Sequence, residues 1–327
     1  MSPSPERSPE LSGASALVTG GAGFIGSHLV EGLLDAGAER VIVVDDLSLG
    51  REANLAAVRE RIEFVCADCA DARSLERACG GRRLDLCFNL AVIPLPHSLE
   101  HPRKNVDRNV AMTTAVCELQ RGGGFDRLVQ FSSSEVYGSA RSVPMSEDHP
   151  LGAHTPYAAA KAATDLVALS YGATFGLDVL VVRPFNTYGE RQNDTAYAGL
   201  IPLVVRRVLA GEPVIVNGDG EQTRDMMYVA DTIRGTLALA VAGLSGETYN
   251  LGTGEEASVN EMVRALLHAL DAPDHPVEHG PPRPGDIRQL LADASRARAA
   301  VGFEAAVGLD EGLRRTVRWY LSAPAAA

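Results

Sequence analysis

Apolar residues in this chain come as short unbroken runs followed by stretches of helical period, and that alternation dominates the first half. Ala16-Leu17-Val18 is such a run, and Ile25, Leu29, Val30, Leu33 and Leu34 then recur at the spacing of a buried helix face. The pairing repeats. Arg40–Val44, Arg61–Cys66, Leu84–Ala91, Arg127–Phe131 and Val179–Arg183 read as strands, with helices over Asn105–Arg121 and Tyr157–Tyr171. Val92–Pro102 holds three prolines and is expected to be a loop rather than a regular helix. Beyond Phe185 the pattern is less regular, with a strand expected at Glu247–Leu251 and helices at Ile201–Ala210, Val259–Leu270 and Ser295–Val301. No internal repeat is present.

The first run ends in glycines. Gly20, Gly23 and Gly26 sit on the strand-to-helix turn, where Gly20 lets the chain reverse, Gly23 lets the backbone approach a pyrophosphate and Gly26 lets helix pack on strand. Phe24 and Ile25 open the helix and belong to the same set. The second strand ends in Asp45 and Asp46, about 20 residues on, where a carboxylate accepts from the adenosine ribose hydroxyls and repels the extra phosphate of NADP. The expected cofactor is therefore NAD. Asp68 stands with Cys69 at the end of the third strand and reads either as an adenine contact or as a turn or helix-cap aspartate. Leu90 and Ala91 end the fourth strand, and the small Ala91 leaves a cofactor room.

Composition narrows the class. In 327 residues only 5% are aromatic, so Ala, Val and Leu fill most of the core, as in a parallel sheet covered by helices on both faces. A formal net charge of -12 without a Lys/Arg run argues against nucleic acid or an anionic membrane as partner, and an anionic ligand has to be held by local arginines. No apolar run reaches membrane-spanning length. Residues 1–12, rich in Ser, Pro and Glu without an apolar stretch, read as a disordered tail. Five cysteines, including Cys66-x-x-Cys69, read as reduced thiols of a cytoplasmic protein, and no two histidines have metal-ligand spacing with a third partner, so no metal is expected.

The fifth strand runs into Ser132-Ser133-Ser134-Glu135, and further on Tyr157 and Lys161 lie four apart on one helix face, where an ammonium beside a phenol favours phenolate. Together with the glycine turn, Asp45 and Asp68, these residues resemble the extended short-chain dehydrogenase/reductase family, in its nucleotide-sugar epimerase, dehydratase and decarboxylase group. Arg183-Pro184-Phe185-Asn186-Thr187-Tyr188-Gly189, Gly218–Asp225 and Arg283-Pro284-Gly285-Asp286 carry the likeness on, over about residues 14–320.

The resemblance implies an α/β fold: a doubly wound parallel sheet of the Rossmann type over residues 13–183, with a return segment near 226–252, and a smaller, interleaved substrate domain over 184–327. It implies a homodimer, and chemistry through a 4-keto sugar: NAD takes hydride from C4, Tyr157 removes the O4 proton, Ser133 bonds the same oxygen, and Lys161 holds the cofactor ribose and keeps Tyr157 acidic. Asn186, Arg191, Arg224 and Arg283 become candidates for the sugar and the nucleotide diphosphate. Ser134-Glu135 stands where similar dehydratases carry Asp-Glu and where simple 4-epimerases usually lack the glutamate. With Arg224, that pair looks most like the UDP-glucuronate decarboxylases, in which serine and arginine bind the sugar carboxylate and the glutamate assists near C5. A 4-epimerase is the alternative, then a 4,6-dehydratase, and remotely a non-catalytic NAD-binding scaffold. The substrate is expected to be UDP-linked.

Overall fold

The computed structural model describes residues 11–194 and 198–322. The expected tail therefore lies outside the described residues, apart from its end. Leu11 packs against the core and its carbonyl accepts from the Ala14 amide at 3.1 Å, so the fold begins before residue 13.

Six strands are used in turn: β1 (Ser15–Thr19), β2 (Arg40–Asp45), β3 (Glu63–Cys66), β4 (Leu84–Asn89), β5 (Phe125–Phe131) and β6 (Asp178–Pro184). The chain then makes β7 (Asn186–Tyr188), β8 (Val214–Asn217), β9 (Thr223–Arg224) and β10 (Met226–Tyr228), and returns with β11 (Thr248–Leu251) beside β6. The main sheet has the order β11-β6-β5-β4-β1-β2-β3, every pair parallel. The direction of winding reverses between β1 and β4, which in open α/β sheets is where a ligand crevice opens.

Period-two alternation sorts the strand residues between two cores. Ala16 and Val18 face the layer built with α1 (Phe24–Asp35), while Leu17 and Cys87 face α2 (Ala72–Cys79) and the helices that follow it. Those are α3 (Leu95–Glu100), α4 (Pro102–Arg121) and α5 (Pro156–Phe175). Leu95–Glu100 corrects the loop expectation. Its prolines fall at the helix starts, Pro94 at the N-cap of α3 and Pro102 opening α4, where a missing N–H costs nothing. The Thr155 hydroxyl caps α5 by accepting from the Ala158 amide at 3.1 Å, and Pro156 occupies the first turn. That cap fixes the start of the helix carrying Tyr157 and Lys161. On the α1 face α7 (Val229–Ala242) completes the layer, lying so close to α1 that a Cβ on Gly32 would come within 2.8 Å of Ile233, while α6 (Leu200–Ala210) packs beside β8. Three small sheets, β10-β7, β13-β8 and β12-β9-β14, use the remaining short strands, with β12 at Ala257–Ser258, β13 at Val277–Gly280 and β14 at Gln289–Leu290.

Candidate active site

A cleft of approximately 1330 Å³ runs from the glycine turn, past the ends of β4 and β5, to the small sheets. At one end Gly20 has a φ of +68°, and a Cβ there would come within 2.8 Å of the Ala91 nitrogen, so the turn lies directly against the end of β4. Gly26 is tighter still, because a Cβ would come within 2.2 Å of the Gly20 oxygen. Gly23 is the N-cap of α1 and has no side chain to cap it, so the first-turn N–H groups meet the cleft uncapped. Phe24, Ile25, Cys69, Leu90 and Ala91 line the same end. This is a backbone cradle for an anionic dinucleotide, and the residues present fit NAD.

The two acids at the end of β2 also line the cleft, but Asp45 braces the turn as well. Its Oδ2 accepts from the Ala22 amide at 3.0 Å and its Oδ1 from the Leu47 amide at 2.9 Å, while burial raises its carboxyl above the usual range. Asp46 Oδ1 accepts from the Ser48 amide and hydroxyl at 2.9 and 2.6 Å. Asp68 is placed differently from a cleft-wall ligand. Its Oδ1 accepts from the Ala70 amide at 2.8 Å and from Arg108 at 2.5 Å, and it is Arg108 that lines the cleft. The turn reading of Asp68 fits these bonds, and they leave Oδ2 of the half-exposed carboxylate open for the adenine contact. Lys104 and Arg108, four apart on α4, both reach the cleft, and that i,i+4 pairing of cations in an acidic chain was the signal in the sequence.

Ser133, Glu135, Tyr157 and Lys161 meet in the middle of the cleft. The Glu135 amide donates to Ser133 Oγ at 3.2 Å, and Ser133 in turn hydrogen-bonds the Tyr157 phenol. The lysine is not where the sequence expects it. Lys161 Nζ donates to the Phe131 carbonyl at the end of β5, and the Tyr157 phenol is pushed up to about 12 by burial, with Glu135 and Asp165 pushing the same way and only Ser133 pulling it down. The resemblance has Lys161 keep this phenol acidic; here the ammonium is taken by the Phe131 carbonyl, and desolvation of the half-buried ring dominates. Burial also brings Lys161 down to about 8, opposed by the charge of Asp165.

Beyond Tyr157 lies a charged group. Arg224 Nη1 donates to the Thr223 and Ile287 carbonyls at 2.8 and 2.7 Å, and its Nη2 donates to Asp286 Oδ1 at 2.8 Å. Arg283 Nη2 donates to the same oxygen at 3.0 Å. Glu135 is half-buried facing both arginines, and desolvation raises its carboxyl above the usual value although both cations lower it. Ser134, 3% exposed, and Asn186 also line the cleft, Asn186 donating to the Asp225 carbonyl at 3.4 Å. Arg191 is not a cleft residue: its Nη2 donates to Glu31 at 2.7 Å, which turns it toward α1. Sequence reasoning passed over Asp286 as a ligand-organising acid, although it sits in the quoted Arg-Pro-Gly-Asp segment.

The remaining candidates are Cys69, His28 and His97. Cys69 is buried and its thiol is pushed up to about 12, so it is no nucleophile, and His28 hydrogen-bonds the Glu190 carbonyl at 3.1 Å. His97 lines the cleft. Among the described residues no group of three His, Cys, Asp or Glu could hold a metal ion, and no helix is long and apolar enough to cross a membrane.

The model of the "NAD dependent epimerase/dehydratase family" matches residues 16–252, from β1 to β11. The chain belongs to that family. It is 37% identical over 308 residues to a UDP-glucose 4-epimerase of Mycolicibacterium smegmatis, covering 93% of this chain and 97% of that one. Among solved structures, UDP-glucose 4-epimerase of Thermotoga maritima with UDP-glucose superimposes with a TM-score of 0.88 at 33% identity, covering 94% of this chain and 98% of that one. The dTDP-glucose 4,6-dehydratase DesIV of Streptomyces venezuelae, with NAD bound, does so with 0.89 at 37%, covering 94% and 97%. The cofactor of this family member is NAD, and the chain is an NAD-dependent nucleotide-sugar epimerase/dehydratase homologue with an enzyme's site.

Proposed function

We propose that the chain is a nucleotide-sugar 4-epimerase acting through a 4-keto sugar. Bound NAD supplies a hydride acceptor with a cationic ring. Tyr157 takes the O4 proton, relayed against Ser133, whose own oxygen is fixed by the Glu135 amide. Lys161 and the Phe131 carbonyl hold the strand end on which Ser133 stands.

The observation that carries the outcome is Ser134. Elimination of water across C5 and C6 calls for an acid and a base together, and here Glu135 is accompanied by the Ser134 hydroxyl where the family resemblance leads one to expect a second carboxyl group in a dehydratase. With one carboxyl, the 4-keto sugar is left to turn and take hydride back on its other face. The decarboxylase reading, placed first on sequence, asks Arg224 to take the sugar carboxylate. Both Nη1 hydrogens of Arg224 are engaged by carbonyls and Nη2 by Asp286, which leaves a poorer fork than that role needs. The relatives named above are epimerases and a dehydratase. Dehydration is the second reading, favoured by Glu135, whose burial lets it hold a proton closer to neutral pH than an exposed glutamate.

In this reading the small sheets around β7 to β10 and β12 to β14, within residues 184–327, form the substrate domain, and Arg224 and Arg283 face the diphosphate of a UDP-linked sugar. A homodimer through α4 and α5 agrees with the exposure of Leu166 (59%) and Phe175 (51%) on α5. The test is incubation with UDP-galactose, dTDP-glucose and UDP-glucuronate, with products read by mass spectrometry and proton NMR. An unchanged mass with inverted C4 is expected. Loss of water moves the assignment to a dehydratase, loss of carbon dioxide to a decarboxylase, and NAD binding without any turnover to a scaffold.

A further inference from the structure

Asp165 lies on α5 one turn beyond Lys161, so the two side chains share a helix face. It is fully buried. Its Oδ2 accepts from the Ser132 hydroxyl at 2.7 Å and from Arg183 Nε at 3.0 Å, whereas its Oδ1 has no hydrogen-bond partner. A buried carboxylate with one bare oxygen is costly unless cations surround it, and here there are two, Arg183 from β6 and Lys161 from its own helix. Ser132 immediately precedes Ser133 and follows Phe131, whose carbonyl receives Lys161. One carboxylate therefore bonds the residue next to Ser133 and lies one helical turn from Lys161, on which its charge acts.

We infer that Asp165 is a positioning residue that keeps Lys161 an ammonium and, through Ser132, fixes the strand end presenting Ser133 to Tyr157. The inference rests on the Tyr157 and Lys161 machinery common to epimerisation and dehydration, and is tested without substrate, so its failure and that of the 4-epimerase reading are separate results. The groups facing the cluster are few. From α5 they are Tyr157 and Lys161, from β6 Arg183, and from the turn after β5 Ser133, Glu135 and Tyr137. The buried polar side chains of α4, Asn105, Asn109, Thr113 and Gln120, are uncharged, and its Glu118 is engaged with Tyr171 further along α5. Of all these, the charge acting on Lys161 is that of Asp165, and it opposes the burial that brings the lysine down to about 8.

The composition makes a direct test available, because Lys104 and Lys161 are the only lysines in the chain. In protein labelled with 13C at the lysine Cε, two side-chain signals are expected, and Lys104→Arg assigns the other to Lys161. In the unmutated protein Lys161 is expected to titrate near 8. Asp165→Asn, which keeps an acceptor for Ser132 and removes the charge, is expected to lower that midpoint by about one to three pH units, and Asp165→Glu to bring it back. The kcat profile should lose its alkaline side over the same shift in Asp165→Asn, with NAD affinity kept. An unmoved Lys161 midpoint in Asp165→Asn overturns the inference. If that variant does not fold, Asp165→Asn/Arg183→Gln removes the buried pair together and is read the same way. A Lys161 midpoint below neutral in the unmutated protein overturns it with no variant at all.

Discussion

Two glycines three residues apart should fail in different ways when each receives one methyl group. On Gly26 that carbon would lie 2.2 Å from the Gly20 oxygen and 2.8 Å from the Gly21 Cα, both backbone, against an ordinary contact of at least 3.4 Å. The start of α1 has to retreat by more than 1 Å from β1, and overpacking against atoms that cannot rotate away costs about 1–3 kcal/mol or more. On Gly23 the new carbon meets only the Gly20 oxygen at 3.1 Å, and the backbone, with φ of -76° and ψ of -177°, suits alanine. The free protein should hardly notice. What Gly23→Ala changes is the cleft surface at the uncapped end of α1, where the methyl stands in the way of a pyrophosphate. The same 1–3 kcal/mol of crowding, now met only on binding, weakens NAD by about fivefold to 150-fold. Thermal unfolding without cofactor and NAD titration by calorimetry separate the two. Gly26→Ala is expected to lose melting temperature and affinity together, and Gly23→Ala affinity alone. A Gly23→Ala protein that binds NAD as the parent does would refute the reading of this turn as a pyrophosphate cradle.

Tyr157→Phe should keep NAD affinity and lose about a hundredfold to ten-thousandfold in kcat, the usual range for a general base; unchanged turnover in steady-state assays would remove Tyr157 from the chemistry. Stability should fall on the alkaline side. The thiols of Cys69 and Cys117 are pushed up to about 12 from 9, and the phenols of Tyr137 and Tyr157 to about 12 from 10, so between pH 9 and 12 the folded protein keeps protons that the unfolded chain has released. Their contribution is complete below pH 9 and is lost as pH rises toward 12, while Lys161, brought down to about 8 from 10.5, works the other way between those values. Melting temperature followed across this range should decline, and a flat or rising curve would refute the burial of these groups.

Much of the fold was legible because it rests on period. Runs such as Val41 to Val44, apolar on both sides, can only lie inside a covered parallel sheet, and the glycine turn fixes where β1 gives way to α1. Helix ends were less legible. Three prolines between residues 92 and 102 read as a loop, yet one caps α3, one lies in its first turn and one begins α4, so the same residue that breaks a helix interior marks a helix start. Return of the chain to the main sheet as β11 depends on a contact between segments more than 60 residues apart, Thr248 to Leu251 against Val181 to Pro184, which no local pattern encodes.

The site divides along the same line. Type and spacing were enough to bring Ser133, Tyr157 and Lys161 to one cleft, because strand ends and a helix face are local objects. Who holds whom was not legible, since it depends on reach and desolvation. Lys161 and Tyr157 share a face at four-residue spacing, yet the ammonium goes to the Phe131 carbonyl, and the phenol is left with Ser133. Arg191 was a candidate for the diphosphate but is claimed by Glu31, while Arg108, no candidate, lines the cleft paired with Asp68. In a chain carrying 42 acids against 30 bases, each arginine near the cleft has a carboxylate competing for it, so binding a diphosphate means displacing or sharing such a partner. Asp286 already divides one oxygen between Arg224 and Arg283, so an entering anion has to compete with a single carboxylate for both guanidinium groups.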